Sequence, residues 1–185
     1  MNYPCPIDTT NWPDTLLEIV QWDSPPDIGP KKRDPSLIQS LTSLQPSDLN
    51  QLQPQGLTKT CWSALLLWVD DLEASHDVSQ AIPGREGSYL HGLMHRREPD
   101  FSNAKYWFRK VGSHPIHTEL AKWIHTFIIC EEVTHQLNLK DWSPDQFVDL
   151  CEAKSASPGE VRDTLNAIAA AEWFLLFDHC LHLKD

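Results

Sequence analysis

The sequence is short of the residues that build phosphate loops, thiolate metal sites and membrane spans. Its seven glycines are dispersed and form neither GxGxxG nor GxxxxGK[ST], which excludes the glycine-rich phosphate cradles. No GxSxG elbow occurs, and Ser75 and His76, adjacent in sequence, project about 100° apart on a helix, so they do not make a nucleophile and base pair by themselves. The five cysteines (Cys5, Cys61, Cys130, Cys151 and Cys180) are odd in number, scattered and without CxxC spacing. That pattern excludes a disulfide framework and a thiolate zinc site and reads as buried free thiols. No stretch approaches the ~18 apolar residues of a membrane span, and no basic region precedes an apolar run at the N-terminus, so the expectation is a cytoplasmic protein with no membrane partner. Basic residues are also scarce: 15 Lys and Arg stand against 26 Asp and Glu, for a net charge of −11. A protein that neutralises phosphates needs a basic face, so no nucleic-acid partner is expected.

What is present is apolar and aromatic. With 41% hydrophobic residues in 185, the chain is long enough for one domain with a sizeable core, and its eight tryptophans read mainly as core. Nine of the fourteen prolines fall between Pro4 and Pro54, a density that prevents long helices. Residues 1–58 are therefore read as an irregular, proline-rich extension that packs on a helical domain over 59–185. Trp12, Leu16, Leu17, Ile19, Val20 and Trp22 give the extension an apolar stripe, with a short helix near 13–21. A second short helix near 46–53 has Ser47 as its N-cap, and Lys31, Lys32 and Arg33 read as a solvated run. From Thr60 onward the periodicity is helical. Helices are predicted over about 60–78, 88–98 (capped by Ser88, stopped by Pro99), 101–112 (capped by Asp100, ended by Gly112), 115–137, 144–154 and 158–183. No strand-like alternation persists and no internal repeat is visible, so the fold class is all-α, a single-domain helical bundle.

Nine histidines are the unusual feature. In GSYLHGLMHRRE, His91, His95 and Glu98 fall at i, i+4 and i+7, in one row on a helix. Two imidazoles and a carboxylate in a row can grip a divalent metal. Gly92 stands where an HExxH motif places its Glu, so protease chemistry is not implied. Other helices carry polar residues on apolar stripes: His76 follows Val69 by seven, Glu131 follows Phe127 by four with His135 four further on, and Glu172 and His179 share a face with Val161, Leu165, Ile168, Leu175 and Leu176. A stripe that admits such groups must partner them. Each also has a plainer reading: His76 bonded to a backbone carbonyl, Glu131 and His135 as a surface pair, and Glu172 and His179 solvated by fraying. His114, His117, His125 and His182 read as surface or capping residues.

A second constellation follows in HRREPDFSNAKYWFRK. Arg96, Arg97, Lys105, Arg109 and Lys110 lie there among Phe101, Tyr106, Trp107 and Phe108, five of the fifteen basic residues in one short segment. Guanidinium groups beside aromatics suit a planar anionic ligand. The alternative is that Arg96 and Arg97 pair with Glu98, Asp100 and the acidic residues Asp70, Asp71 and Glu73 of the first predicted helix. Asn103 and Tyr106, about one turn apart, can orient a ligand or water.

The stretch GSYLHGLMHRREPDFSNAKYWFRKVGSHP, with the upstream SHDVSQ, resembles the central segment of a family of uncharacterised bacterial and fungal proteins. The resemblance covers about a quarter of the chain and implies no particular activity. Glu132-x-x-His135 is similar to the ExxH fragment of ferritin-like di-iron proteins. That family requires two such motifs, and here Glu172 is followed by Leu175 where the second needs His.

Together these features predict a metal-dependent enzyme of hydrolase or lyase type. A divalent metal would sit on His91, His95 and either His76 or Glu98, with Glu98 and Glu131 as the carboxylates that move a proton. Arg96, Arg97, Asn103, Tyr106 and Arg109 would hold a small anionic substrate. The alternative is a non-catalytic ligand-binding or protein-interaction module with structural histidines.

Overall fold

The structure is a computed structural model that describes residues 3–29, 34–44, 57–154 and 156–183. The described residues are all-α, without strands: α1 (Asp14–Ile19), α2 (Pro35–Ser43), α3 (Lys59–Trp68), α4 (Leu72–Ser79), α5 (Arg85–Arg97), α6 (Phe101–Val111), α7 (Pro115–Phe127), α8 (Glu131–Thr134), α9 (Pro144–Lys154) and α10 (Glu160–Leu181). The helix expected near 46–53 and the Lys31, Lys32, Arg33 run lie outside the described residues.

Two helices form the centre. In α10, thirteen of 22 residues are buried on every side, as expected for AIAAAEWFLLF, which is apolar all round. One apolar cluster on α10 joins it to α1, α3 and α5, and another joins it to α7 and α9. In α5 every residue from Tyr89 to Arg97 is buried, so His91, His95, Arg96 and Arg97 must find partners inside the protein. Glycine makes this crowding possible. A Cβ on Gly92 would stand 3.0 Å from the Phe108 ring, and one on Gly87 would stand 2.3 Å from the carbonyl oxygen of Ile82.

Trp12, Trp68, Trp123, Trp142 and Trp173 are core, and several indole N–H groups tie segments together. Trp173 donates to the Ala64 carbonyl at 2.8 Å, Trp68 to that of Ile19 at 3.1 Å, and Trp123 to that of Pro4 at 3.0 Å. Trp12 stacks on Phe174. The described part of the N-terminal extension is thus seated on α10, with Leu16, Ile19 and Val20 buried, and it carries an additional helix, α2, whose N-cap Asp34 accepts from the Ser36 N–H.

Two predicted helices are broken. The span expected over 60–78 divides at Asp70, whose φ of 62° is left-handed, a conformation Asp tolerates. Asp70 is ion-paired with Arg97, and Asp71 caps α4 by accepting from the Ala74 N–H. The bend turns α4 back along α3, where Ser63 and Ser75 exchange hydroxyl-to-carbonyl bonds of 3.1 and 2.9 Å. The span expected over 115–137 stops at Phe127, because the β-branched pair Ile128 and Ile129 leaves the helix with Ile128 extended. The start of α5 also differs: Gly84, at φ 100°, precedes it, and Ser88 donates to the Gly84 carbonyl without capping the helix.

Candidate metal centre

The turn between α4 and α5 folds His76 onto His91 and His95. Ring centroids are 4.5 Å apart for His76 and His91, 4.9 Å for His91 and His95, and 5.6 Å for His76 and His95. One ligand nitrogen from each ring lies within 4.8 Å of the other two. His91 and His95 are buried, and His76 closes the cluster on its solvent side with 35% of its side chain exposed.

Neighbouring groups set the tautomers. Ser79 Oγ donates to the His76 carbonyl at 3.1 Å, so its oxygen is free to accept from His91 Nδ1 at 3.2 Å. Glu98 Oε2 lies 3.5 Å from His95 Nδ1, and the Asn103 amide nitrogen lies 3.0 Å from His95 Nε2. A carboxylate accepts and an amide N–H donates, so in both rings the proton sits on Nδ1 and the lone pair on Nε2. Metal-bound imidazoles have their far nitrogen held by an outer acceptor in this way, though on His95 the Asn103 amide occupies Nε2. Burial pushes His91 down to about 4, helped by the neighbouring His76 and His95, and burial lowers His95 against the opposing pull of Glu98. Both rings are therefore neutral, as metal ligands must be. Trp107 packs on His91 at 4.0 Å, and Lys110 Nζ lies 4.1 Å over the Trp107 ring.

The remaining predicted site residues divide. Glu98 is 42% exposed and braces His95 instead of joining the ligand set. Asn103 lies beside His95. Tyr106 is exposed and lies against Trp107 and Lys110. Arg109 is exposed and paired with Asp145 at 3.4 Å.

Arg96 and Arg97, expected to hold a substrate, are buried and paired with carboxylates. Arg97 pairs with Asp70, while Arg96 is 2% exposed and has Nη2 2.6 Å from Glu172 Oε2. The Tyr89 hydroxyl donates to Glu172 Oε1 at 2.7 Å. Arg96 also stacks over Phe147, 4.6 Å from its centroid. Glu172 is thus inward-facing, as its stripe predicted, but its partners are Arg96 and Tyr89. Glu131 is a correction: the break after Phe127 rotates it and His135 out to the surface, so neither faces the core.

Sequence reasoning missed a second cluster. Glu86 in the first turn of α5, His114 at the N-cap of α7 and His179 in the last turn of α10 also bring ligand atoms within 4.8 Å of one another. The sequence reads His114 as a surface or capping residue. It does cap, accepting from the Ile116 N–H at 3.4 Å, but it is buried, and burial pushes it down to about 3. No periodicity links three residues at three separate helix ends, so only the tertiary fold could assemble them. No family model, no curated protein and no solved structure matches this chain.

Proposed function

We propose that the protein binds one divalent transition-metal ion on His76, His91 and His95 and acts as a metal-dependent enzyme of hydrolase or lyase type on a small anionic molecule. The observation that carries this reading is the convergence of three imidazoles: one ring nitrogen from each lies within 4.8 Å of the other two, His91 and His95 are buried, and Ser79 and Glu98 stand beside their Nδ1 atoms. A bound ion would supply a Lewis acid with positions left open by three protein ligands. Lys110, one ring away from His91, takes over the anion-attracting role expected of Arg96 and Arg97. Asn103 would orient a ligand or water once its amide leaves His95.

The test is elemental analysis and calorimetric titration with Zn²⁺, Mn²⁺, Fe²⁺ and Ni²⁺ on the wild type and the His91→Ala, His95→Ala double variant. The wild type is expected to bind at this site and the variant to lose that binding while keeping its helix content, since Ala is the better helix former. Equal binding by both proteins, or none by the wild type, refutes the reading.

One observation favours a second reading, a non-catalytic ligand-binding module. A groove of about 1000 Å³ opens between α7 and the segment 137–145, lined by His117, Lys122 and Trp142 among others, and not on the three histidines. Ligand binding that survives loss of His91 and His95 would select it.

A further inference from the structure

The Glu86, His114 and His179 cluster lies apart from the histidines of the proposed centre and draws its three side chains from the ends of three different helices. Glu86 Oε1 lies 3.8 Å from His114 Nε2 and 3.6 Å from His179 Nε2. Those separations exceed the hydrogen-bond range. They come close to the edge of a coordination tetrahedron, about 3.4 Å for ligands 2.0–2.1 Å from a metal. The His114 side chain is 0% exposed, and its Nε2 has no hydrogen-bond partner, although a buried polar nitrogen is ordinarily paired. Arg85, next to Glu86, donates to the Ser113 carbonyl at 2.9 Å and so clamps the start of α5 to the residue before His114. The site is therefore held in place by its backbone, and the unpartnered nitrogen points at a carboxylate and a second imidazole.

We propose that Glu86, His114 and His179 form a second divalent-cation site, a two-histidine, one-carboxylate set that ties the last turn of α10 to α5 and α7. Two imidazoles and one carboxylate suit Co²⁺, Zn²⁺, Mn²⁺ or Fe²⁺. Loading has one local cost. In the metal-free protein His114 Nδ1 accepts from Ile116, so the ring proton is on Nε2. A metal on Nε2 displaces that proton; with the ring still neutral, the proton resides on Nδ1, where it opposes the Ile116 N–H. The bond given up is long, 3.4 Å, and the binding step includes release of that cap. His114 also lines the groove beside α7.

The experiment is a Co²⁺ titration of the full chain, read by visible absorption, in four proteins: wild type, H91A/H95A, E86Q/H179Q and all four substitutions together. Glu86 and His179 are partly exposed, 22% and 24%, so E86Q/H179Q tests the site without opening the core. H91A/H95A is expected to retain one equivalent, which E86Q/H179Q removes, lowering affinity more than about 100-fold. Amide exchange at Ile116 should speed up on loading as the cap is released. If E86Q/H179Q binds Co²⁺ with the stoichiometry and affinity of the wild type, the second site is overturned, whatever happens at His91 and His95. A wild type that binds one equivalent, lost in E86Q/H179Q and kept in H91A/H95A, upholds this site and sinks the first. Unchanged Ile116 exchange on loading overturns the His114 ligand assignment.

Discussion

Replacing Arg96 by Met tests whether this arginine is a structural partner or a ligand anchor. Glu172 is fully buried, with Arg96 Nη2 at 2.6 Å and the Tyr89 hydroxyl at 2.7 Å. Removing one member of a buried pair leaves the other charge uncompensated and costs about 3–5 kcal/mol. For a chain of this size that is on the order of 10 °C in Tm. The pair itself is imperfect: Arg96 Nε and Nη1 and Glu172 Oε2 lack well-aligned hydrogen bonds, so proximity of charge holds it, and stacking on Phe147 adds to it. An all-apolar replacement should therefore recover what the single variant loses. Arg96→Met with Glu172→Leu and Tyr89→Phe, which removes the whole polar trio, is expected within about 1 kcal/mol of wild type or above it. Urea denaturation with m-values checked for constancy is the assay. An Arg96→Met protein that loses less than about 1 kcal/mol refutes the buried-pair reasoning. If metal-site affinity collapses in the triple variant while folding is normal, Arg96 acts at the centre after all.

The amide of Asn103 donates to the nitrogen of His95 that a metal would use. Asn103→Ala should thus tighten metal binding about 5–10-fold, the worth of one hydrogen bond of about 1 kcal/mol; weakened binding would show that the amide supports the ion. Stability should also depend on pH. His91 and His114 have folded values near 4 and 3 against an ordinary 6.5, so the unfolded chain takes up their protons first. Their contribution is fully present above pH 6.5 and is lost as pH falls toward 4 and 3. In chelator, unfolding free energy should drop by about 2 kcal/mol per buried histidine between pH 7 and pH 5. A flat profile across that range would show these rings to be solvated.

Hydrophobic periodicity determined most of the helix inventory, because a stripe repeating every 3.6 residues has only one way to be buried. Asp100 and Gly112 bound α6 where their capping chemistry placed them. The spacing of His91 and His95 likewise put two imidazoles on one row before any contact was known. Tertiary structure decided what those groups meet. Asp70 turns left-handed and takes Arg97, which breaks one long helix and folds His76 onto His91. Glu172 goes to Arg96 and Tyr89, a pairing between residues 76 and 83 positions apart that no local pattern encodes. Glu131 shows the same limit from the other side: its stripe pointed inward only while α7 continued, and the helix ends at Phe127. His114 and Glu86 sit at helix starts, where periodicity says nothing about direction, so only packing could bring them to His179. Local sequence sets which residues share a face, and long-range packing sets which faces meet.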